Sequence, residues 1–184
     1  GVSVEGECVG VPGQGYGMVQ NPGDGGCPTD DAECRTVLDL LPAVLRTQVH
    51  PAGRLDRDTT GLVLLTSDGQ WSHRLTSPNH ACGKCYRVIC ADPVSDEDLQ
   101  ALREGILLRG EDSPTLPALA ERVNTHTLRL TITEGRYHQV KRMLAARGNK
   151  VVGLHREQIG DIVLDADLAP GEFRALTEEE VAGI

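Results

Sequence analysis

The segment "GLVLLTS" at residues 61–67 constrains the fold more than any other part of this 184-residue chain. It is short, rich in branched apolar side chains and free of charge, which is typical of a strand buried within a sheet. Strand and helix patterns are interspersed along the rest of the chain without a regular strand–helix–strand rhythm. We therefore expect an α+β fold with a mixed or antiparallel sheet.

Local patterns predict the remaining elements. Alternating apolar residues, or a short apolar run, predict strands at 85–91, 126–133 and 150–155. Apolar periodicity and capping residues predict helices at 36–41, 70–77, 95–105 and 137–148, and a capped turn of helix at 177–184. Residues 1–35 are rich in glycine and proline and, taken alone, predict loop or poorly ordered chain.

Four charged residues stand directly before the buried strand: Arg54, Asp56, Arg57 and Asp58. In an extended segment Arg54, Asp56 and Asp58 point the same way. One interpretation is a surface loop with paired charges, which contributes little to stability. The other is a reactive carboxylate that nearby cations keep ionised at neutral pH, able to act as a nucleophile or a base. The spacing alone leaves both open.

Positive charge is concentrated in one part of an acidic protein. The chain carries 27 acidic and 18 basic residues, a net charge of −9, which argues against polyanion binding through overall charge. The stretch between Gly135 and Arg156 nevertheless contains no Asp or Glu and holds six basic residues, Arg136, Lys141, Arg142, Arg147, Lys150 and Arg156. It predicts either a solvated helix face or a surface that binds phosphates.

The six cysteines are Cys8, Cys27, Cys34, Cys82, Cys85 and Cys90. "CGKC" at 82–85 has the spacing of a zinc knuckle, but Cys27 and Cys34 make a poor second pair. We expect reduced thiols and no metal. No apolar run reaches the length of a membrane span and no signal peptide is evident, so we expect a cytoplasmic protein without a membrane partner.

Several motifs, in order, resemble the pseudouridine synthases. "GRLDRDTTGLVLLTSDG" (53–69) resembles the catalytic-aspartate motif of that family, and "KCYRV" (84–88) its tyrosine segment. "EGRYHQVKRML" (134–144) resembles its second signature. "LHREQIGDIVLDADLAPGEFRALTEEE" (154–180) resembles the end of the family's small-subunit branch. The resemblance covers residues 16–184 as one catalytic domain, and residues 1–15 are expected to be poorly ordered or a remnant of an N-terminal RNA-binding module.

The resemblance implies a fold and a mechanism. The fold is a mixed, mostly antiparallel sheet flanked by helices, with an active-site cleft across the sheet. The reaction cuts the bond from ribose to uracil, turns the base and rejoins it through carbon 5, without metal or cofactor. Asp56 would be the essential aspartate, which either attacks the substrate covalently or abstracts a sugar proton.

The resemblance also implies roles for the other residues of the motifs. Tyr86 would stack on the target base, Lys141 would pair with the aspartate, and Leu154 would lie under the base. Arg54, His138 and Gln139 would shape the site. The RNA backbone would be contacted by Arg136, Arg142, Arg147 and Arg156.

The implied partner is ribosomal RNA, either 16S RNA or a small-subunit assembly particle, bound by a monomer. Asn21 stands where the family usually has lysine, and this favours an alternative, a non-catalytic ribosomal RNA-binding or assembly factor on the same fold. The intact Asp56, Tyr86 and Lys141 argue against that alternative. A third interpretation is a zinc-containing interaction module built on the cysteines.

Overall fold

The computed structural model describes residues 15–22, 48–53, 55, 59–77 and 82–184. The expected helix at 36–41 and the expectations for residues 1–14 lie outside this part of the chain. The described strands are β1 (Tyr16–Asn21), β2 (His50–Ala52), β3 (Thr60–Thr66), β4 (Lys84–Cys90), β5 (Leu119–Asn124), β6 (Thr127–Ile132), β7 (Val151–Ile159), β8 (Ile162–Val163) and β9 (Phe173–Ala175). The described helices are α1 (Gly69–Thr76), α2 (Asp96–Glu104), α3 (Gln139–Ala146) and α4 (Glu178–Ala182).

The described strands form one sheet in the order β5-β6-β4-β7-β3-β1-β9, with β2 beside β3 and β8 beside β7. The pair β3–β7 is parallel, with Gly61 opposite Arg156, and the other described pairs are antiparallel. This confirms the expected α+β class with a mixed, mostly antiparallel sheet. The apolar segment is the strand β3, in which every residue from Gly61 to Thr66 is buried.

The apolar core has two main parts, joined through the β3–β7 pair. One lies between β4, β6 and the helices α2 and α3, and includes Leu128, Leu130 and Met143. The other lies between β1, β3 and α1, and includes Met18 and Trp71. Helix α2 begins at the capping box of Ser95 and Asp98 and ends at Gly105, as its sequence predicts. None of the helices that the described residues form is long and apolar enough to cross a membrane.

Two expectations from local pattern are wrong. Residues Tyr16–Asn21, within the segment predicted to be loop, form β1 between β3 and β9. Helix α3 is shorter than predicted, because Tyr137 and His138 belong to the loop before it. His138 has a left-handed backbone with φ of 47°, and the side-chain oxygen of Gln139 accepts a hydrogen bond from the backbone N–H of Arg136 at 3.1 Å.

Asp68 links helix α1 to strand β1, and its replacement is a test of this half of the fold. Its carboxylate accepts from the backbone N–H groups of Gln70 and Trp71, and from the Tyr16 hydroxyl at 2.6 Å. The Tyr16 bond, the largest cause, lowers the pKa of Asp68. Burial and this same bond raise the pKa of Tyr16 to about 12. The interaction therefore requires a neutral phenol and an ionised carboxylate.

Asp68→Ala is expected to lower the free energy of unfolding by about 2 to 3 kcal/mol, because a helix cap and a charged hydrogen bond are lost together. Chemical denaturation at neutral pH measures the change. Asp68→Asn, which can still cap the helix, should cost less than the alanine variant. A loss below about 0.5 kcal/mol for Asp68→Ala would contradict this role.

Candidate active site

A pocket of about 420 Å³ opens where the loop before β3, the strands β4 and β7, and the N-terminal end of α3 meet. Its volume is in the range of sites that enclose a small molecule or one unit of a polymer. Seven residues proposed from the sequence line it, although they come from separate segments of the chain: Tyr86, Arg136, His138, Gln139, Lys141, Leu154 and Arg156.

The floor of the pocket is made by two neighbouring strands. Tyr86 of β4 lies opposite Arg156 of β7, and Val88 lies opposite Leu154. The Tyr86 ring is half-buried and packs against the apolar core, and Leu154 is buried. An aromatic ring and an aliphatic side chain on a rigid sheet offer an apolar surface to a flat ligand.

Lys84 lies two residues before Tyr86, on the same face of β4, and also lines the pocket. Its ammonium donates to the carbonyl oxygens of Leu75 at 3.2 Å and Cys82 at 3.4 Å. Burial lowers the pKa of Lys84, and the positive charge of Arg156 acts in the same direction. Lys84 is not among the residues proposed from the sequence, although the alternation in "KCY" predicts that it shares a face with Tyr86.

The structure corrects the expected position of Arg156. Its side chain is only 2% exposed, under the pocket rather than on an RNA-facing surface. Its Nε donates to the backbone carbonyl of Leu62 at 2.9 Å, and its Nη2 is buried with no hydrogen-bond partner among the described residues. A buried guanidinium donor without a partner is costly, so Arg156 is a candidate to hold a group that enters the pocket. Thr59 also lines the pocket, and its hydroxyl is likewise buried with no hydrogen-bond partner among the described residues.

The loop between β6 and α3 is held by internal hydrogen bonds. The Glu134 carboxylate accepts from Arg136 Nε at 2.9 Å, from Gln139 Nε2 at 3.1 Å and from the backbone N–H of Leu116 at 2.7 Å. Gln139 is 3% exposed. Its amide therefore braces the wall of the pocket, and a role of Gln139 in shaping the active site stays a prediction.

The positive segment is largely neutralised by acidic residues from elsewhere in the chain. Arg136 and Arg142 both contact the Glu111 carboxylate, at 3.4 and 3.1 Å. Arg147 pairs with Asp98 at 2.9 Å. The sequence pattern between Gly135 and Arg156 therefore predicts a larger cationic surface than the structure has. The acidic residues that pair with these arginines lie far away in the chain. Contacts of these arginines with an RNA backbone stay a prediction.

Helix α3 turns its neighbouring basic residues in different directions. Lys141 is half-buried and lines the pocket. Arg142 points away from it and donates to the carbonyl oxygens of Tyr137 at 2.8 Å and Arg109 at 2.9 Å. This is the separation expected from the turn of about 100° per residue in an α-helix.

The described lining of the pocket carries more positive than negative charge. Lys84, Arg136, Lys141 and Arg156 are basic, and Glu134, which pairs with Arg136, is the single acidic residue among the described lining residues. Such a pocket favours an anionic or acceptor-rich ligand with a flat face. Two residues proposed from the sequence, Arg54 and Asp56, lie outside the described residues. Leu55 and Thr59, which are described, line the pocket.

Comparison with known proteins identifies the family. The model of the RNA pseudouridylate synthase family matches residues 15–146. The chain belongs to the pseudouridine synthase family. It is 56% identical to the ribosomal small subunit pseudouridine synthase A of Haemophilus influenzae over 90% of this chain and 72% of that protein. It is 55% identical to the protein of the same name from Escherichia coli K12, over 92% of this chain and 73% of that protein.

A solved structure gives the same result for the fold. The crystal structure of a pseudouridylate synthase superposes with a TM-score of 0.87 at 54% identity, covering 92% of this chain and 73% of that chain. The pseudouridine synthase fold expected from the sequence is therefore confirmed, with the candidate pocket on its sheet.

The described cysteines do not line the pocket. Cys82, Cys85 and Cys90 are free thiols, and burial raises the pKa of each. Within the described ranges, no group of three or more His, Cys, Asp or Glu side chains is placed to hold a metal ion. Cys8, Cys27 and Cys34 lie outside those ranges.

Proposed function

We propose that this protein isomerises a specific uridine of small-subunit ribosomal RNA to pseudouridine, as a cytoplasmic monomer without a cofactor. The observation that carries the proposal is that residues from separate family motifs line one positively charged pocket with an aromatic floor. Chemistry on a base requires the nucleotide to leave the stack, and a pocket of about 420 Å³ has room for one extruded nucleotide.

The apolar floor receives the uracil. Tyr86 stacks on one face of the ring, and Leu154 supports the base beside it. Because these contacts are not directional within the plane of the base, the uracil can turn on the floor after its bond to the ribose is cut. Tyr86 and Leu154 belong to the paired strands β4 and β7, which keep the floor in place during that rotation.

Asp56 performs the covalent or proton-transfer step, as a nucleophile or as a base. The N1–C1′ bond breaks, the C5–C1′ bond forms, and the proton on C5 is released while N1 gains one. Asp56 follows Leu55, which lines the pocket, and Lys141 provides the cation that keeps the carboxylate ionised. The remaining exposed surfaces of Arg136, Arg142 and Arg147 contact RNA phosphates.

Mapping of pseudouridine in 16S RNA tests the function. Transcribed 16S RNA and small-subunit assembly particles are each incubated with the protein, and pseudouridine is located by chemical modification and primer extension. One new pseudouridine, absent without the protein, is the expected result. RNA binding with no pseudouridine in either substrate would favour the alternative, a non-catalytic ribosomal RNA-binding factor.

Lys141→Ala is expected to lower the single-turnover rate at saturating RNA by about 100-fold, because the reacting carboxylate loses its cation. RNA binding should stay close to that of the parent. Lys150→Ala is the matched control, since Lys150 is exposed in the same basic segment and does not line the pocket. If Lys141→Ala weakens binding but leaves the rate at saturation unchanged, the pairing with Asp56 is wrong.

A further inference from the structure

Tyr137 is exposed in a way that the other aromatic residues are not. The chain has three tyrosines, one tryptophan and one phenylalanine, and all five lie within the described residues. Trp71 and Tyr16 are buried, and Tyr86 and Phe173 are half-buried. Tyr137 is 75% exposed and lies on the lining of the pocket. An exposed aromatic ring on the lining of a pocket offers a face on which a flat ligand can stack.

The Tyr137 ring is exposed but has a fixed position, because it contacts a neighbouring ring. It stacks on the His138 ring with 3.9 Å between centroids and 17° between planes. The Tyr137 carbonyl accepts from Arg142 Nη1 at 2.8 Å. The preceding residue, Arg136, donates to Ser113 O and Pro114 O, each at 2.8 Å, in addition to its ion pairs. Stacking and hydrogen bonds thus fix the loop on both sides of the ring.

The strained backbone of His138 is a second observation that points to a binding site at this loop. His138 has φ of 47°, and it is the single non-glycine residue with positive φ in the described part of the chain. A non-glycine residue in this conformation persists only when its surroundings enforce it, and such strain is concentrated at binding and active sites. The left-handed residue belongs to the stacked pair that lines the pocket.

We propose that the stacked pair Tyr137–His138 is a second base-stacking site, which holds the base of an unpaired nucleotide next to the target uridine. The proposal rests on the proposed function, because it assumes an RNA in the pocket. When one nucleotide is extruded, its neighbour loses a stacking partner. An exposed ring at the pocket replaces that partner, and it accepts any base because every base has a π-face.

Fluorescence of 2-aminopurine tests this site directly. Two single-stranded RNA decamers carry 2-aminopurine immediately 5′ or 3′ of a central uridine, and stacking on an aromatic ring quenches the fluorophore. Binding of the parent should quench one of the two probes. Tyr137→Ala should weaken binding of that probe by about 10-fold and remove the quenching, whereas Tyr137→Phe should keep both. Leu119→Ala, at a side chain that is 72% exposed and outside this pocket, is the control and should behave as the parent.

Turnover measurements separate this site from the reaction itself. With transcribed 16S RNA, Tyr137→Ala should raise KM by about 10-fold and leave kcat unchanged. Equal binding and quenching by the parent and Tyr137→Ala would overturn the stacking site, as would a lower kcat with normal binding. An inactive parent that still quenches a probe through Tyr137 would refute the proposed function but retain the stacking site.

Discussion

Asp56→Asn is expected to reduce turnover by at least about a thousandfold while the protein folds and binds RNA as the parent does. Asparagine has nearly the same shape as aspartate but has no ionised oxygen, so it can neither attack the substrate nor accept a proton from it. The assay is release of tritium from RNA labelled at carbon 5 of uridine, since that hydrogen leaves when the new C5–C1′ bond is made.

The control for this variant is Asp167→Asn, because Asp167 is exposed and does not line the pocket. It makes the same chemical change and should keep full activity. Thermal unfolding and RNA binding of Asp56→Asn establish whether the variant is folded. Turnover within tenfold of the parent would exclude Asp56 as the essential residue.

Gly61→Ala is expected to have the largest effect on stability, a loss of about 3 kcal/mol or more. Gly61 has φ of +113°, and an added Cβ would lie 2.6 Å from the backbone nitrogen of Arg156 and also overlap its carbonyl oxygen. These contacts are with the backbone of the neighbouring strand, so no side-chain rotation can relieve them. Strands β3 and β7 would have to separate where their pair joins the two parts of the core.

The same change should damage the pocket, because Arg156 and Leu154 are carried by β7. Chemical denaturation measures the stability, and RNA binding measures the state of the pocket. Gly69→Ala is the matched control. It lies in helix α1, an added Cβ there would have nothing within 4 Å, and the change should be neutral or slightly stabilising. A loss of less than about 1 kcal/mol for Gly61→Ala would show that the close approach of β3 and β7 is not required.

Several predictions from the sequence hold because the interactions behind them are local. The capping box at Ser95 and Asp98 and the capped turn at Thr177 and Glu180 form as their spacing predicts. The apolar run lies within β3, because a central strand of the sheet buries the consecutive residues Gly61 to Thr66 on both faces. Seven of the residues proposed from the motifs also line the pocket.

Other features depend on partners far away in the chain. Strand β1 lies in glycine- and proline-rich sequence and forms because it pairs with β3 and β9. Strand β5 is mostly exposed and has no clear alternation, and its pairing with β6 makes it a strand. No local pattern could have found either.

The candidate site shows the same division between local pattern and tertiary contact. By itself the sequence determined the buried strand, the α+β class and the family motifs with their basic and aromatic residues, because each depends on a pattern within a few neighbouring positions. Only the tertiary structure decided that Arg156 is buried, that Glu111 neutralises Arg136 and Arg142, and that Tyr137 is exposed at the pocket. The physical reason is that burial and ion pairing depend on which distant segments meet, and a linear pattern of residue types does not contain that information.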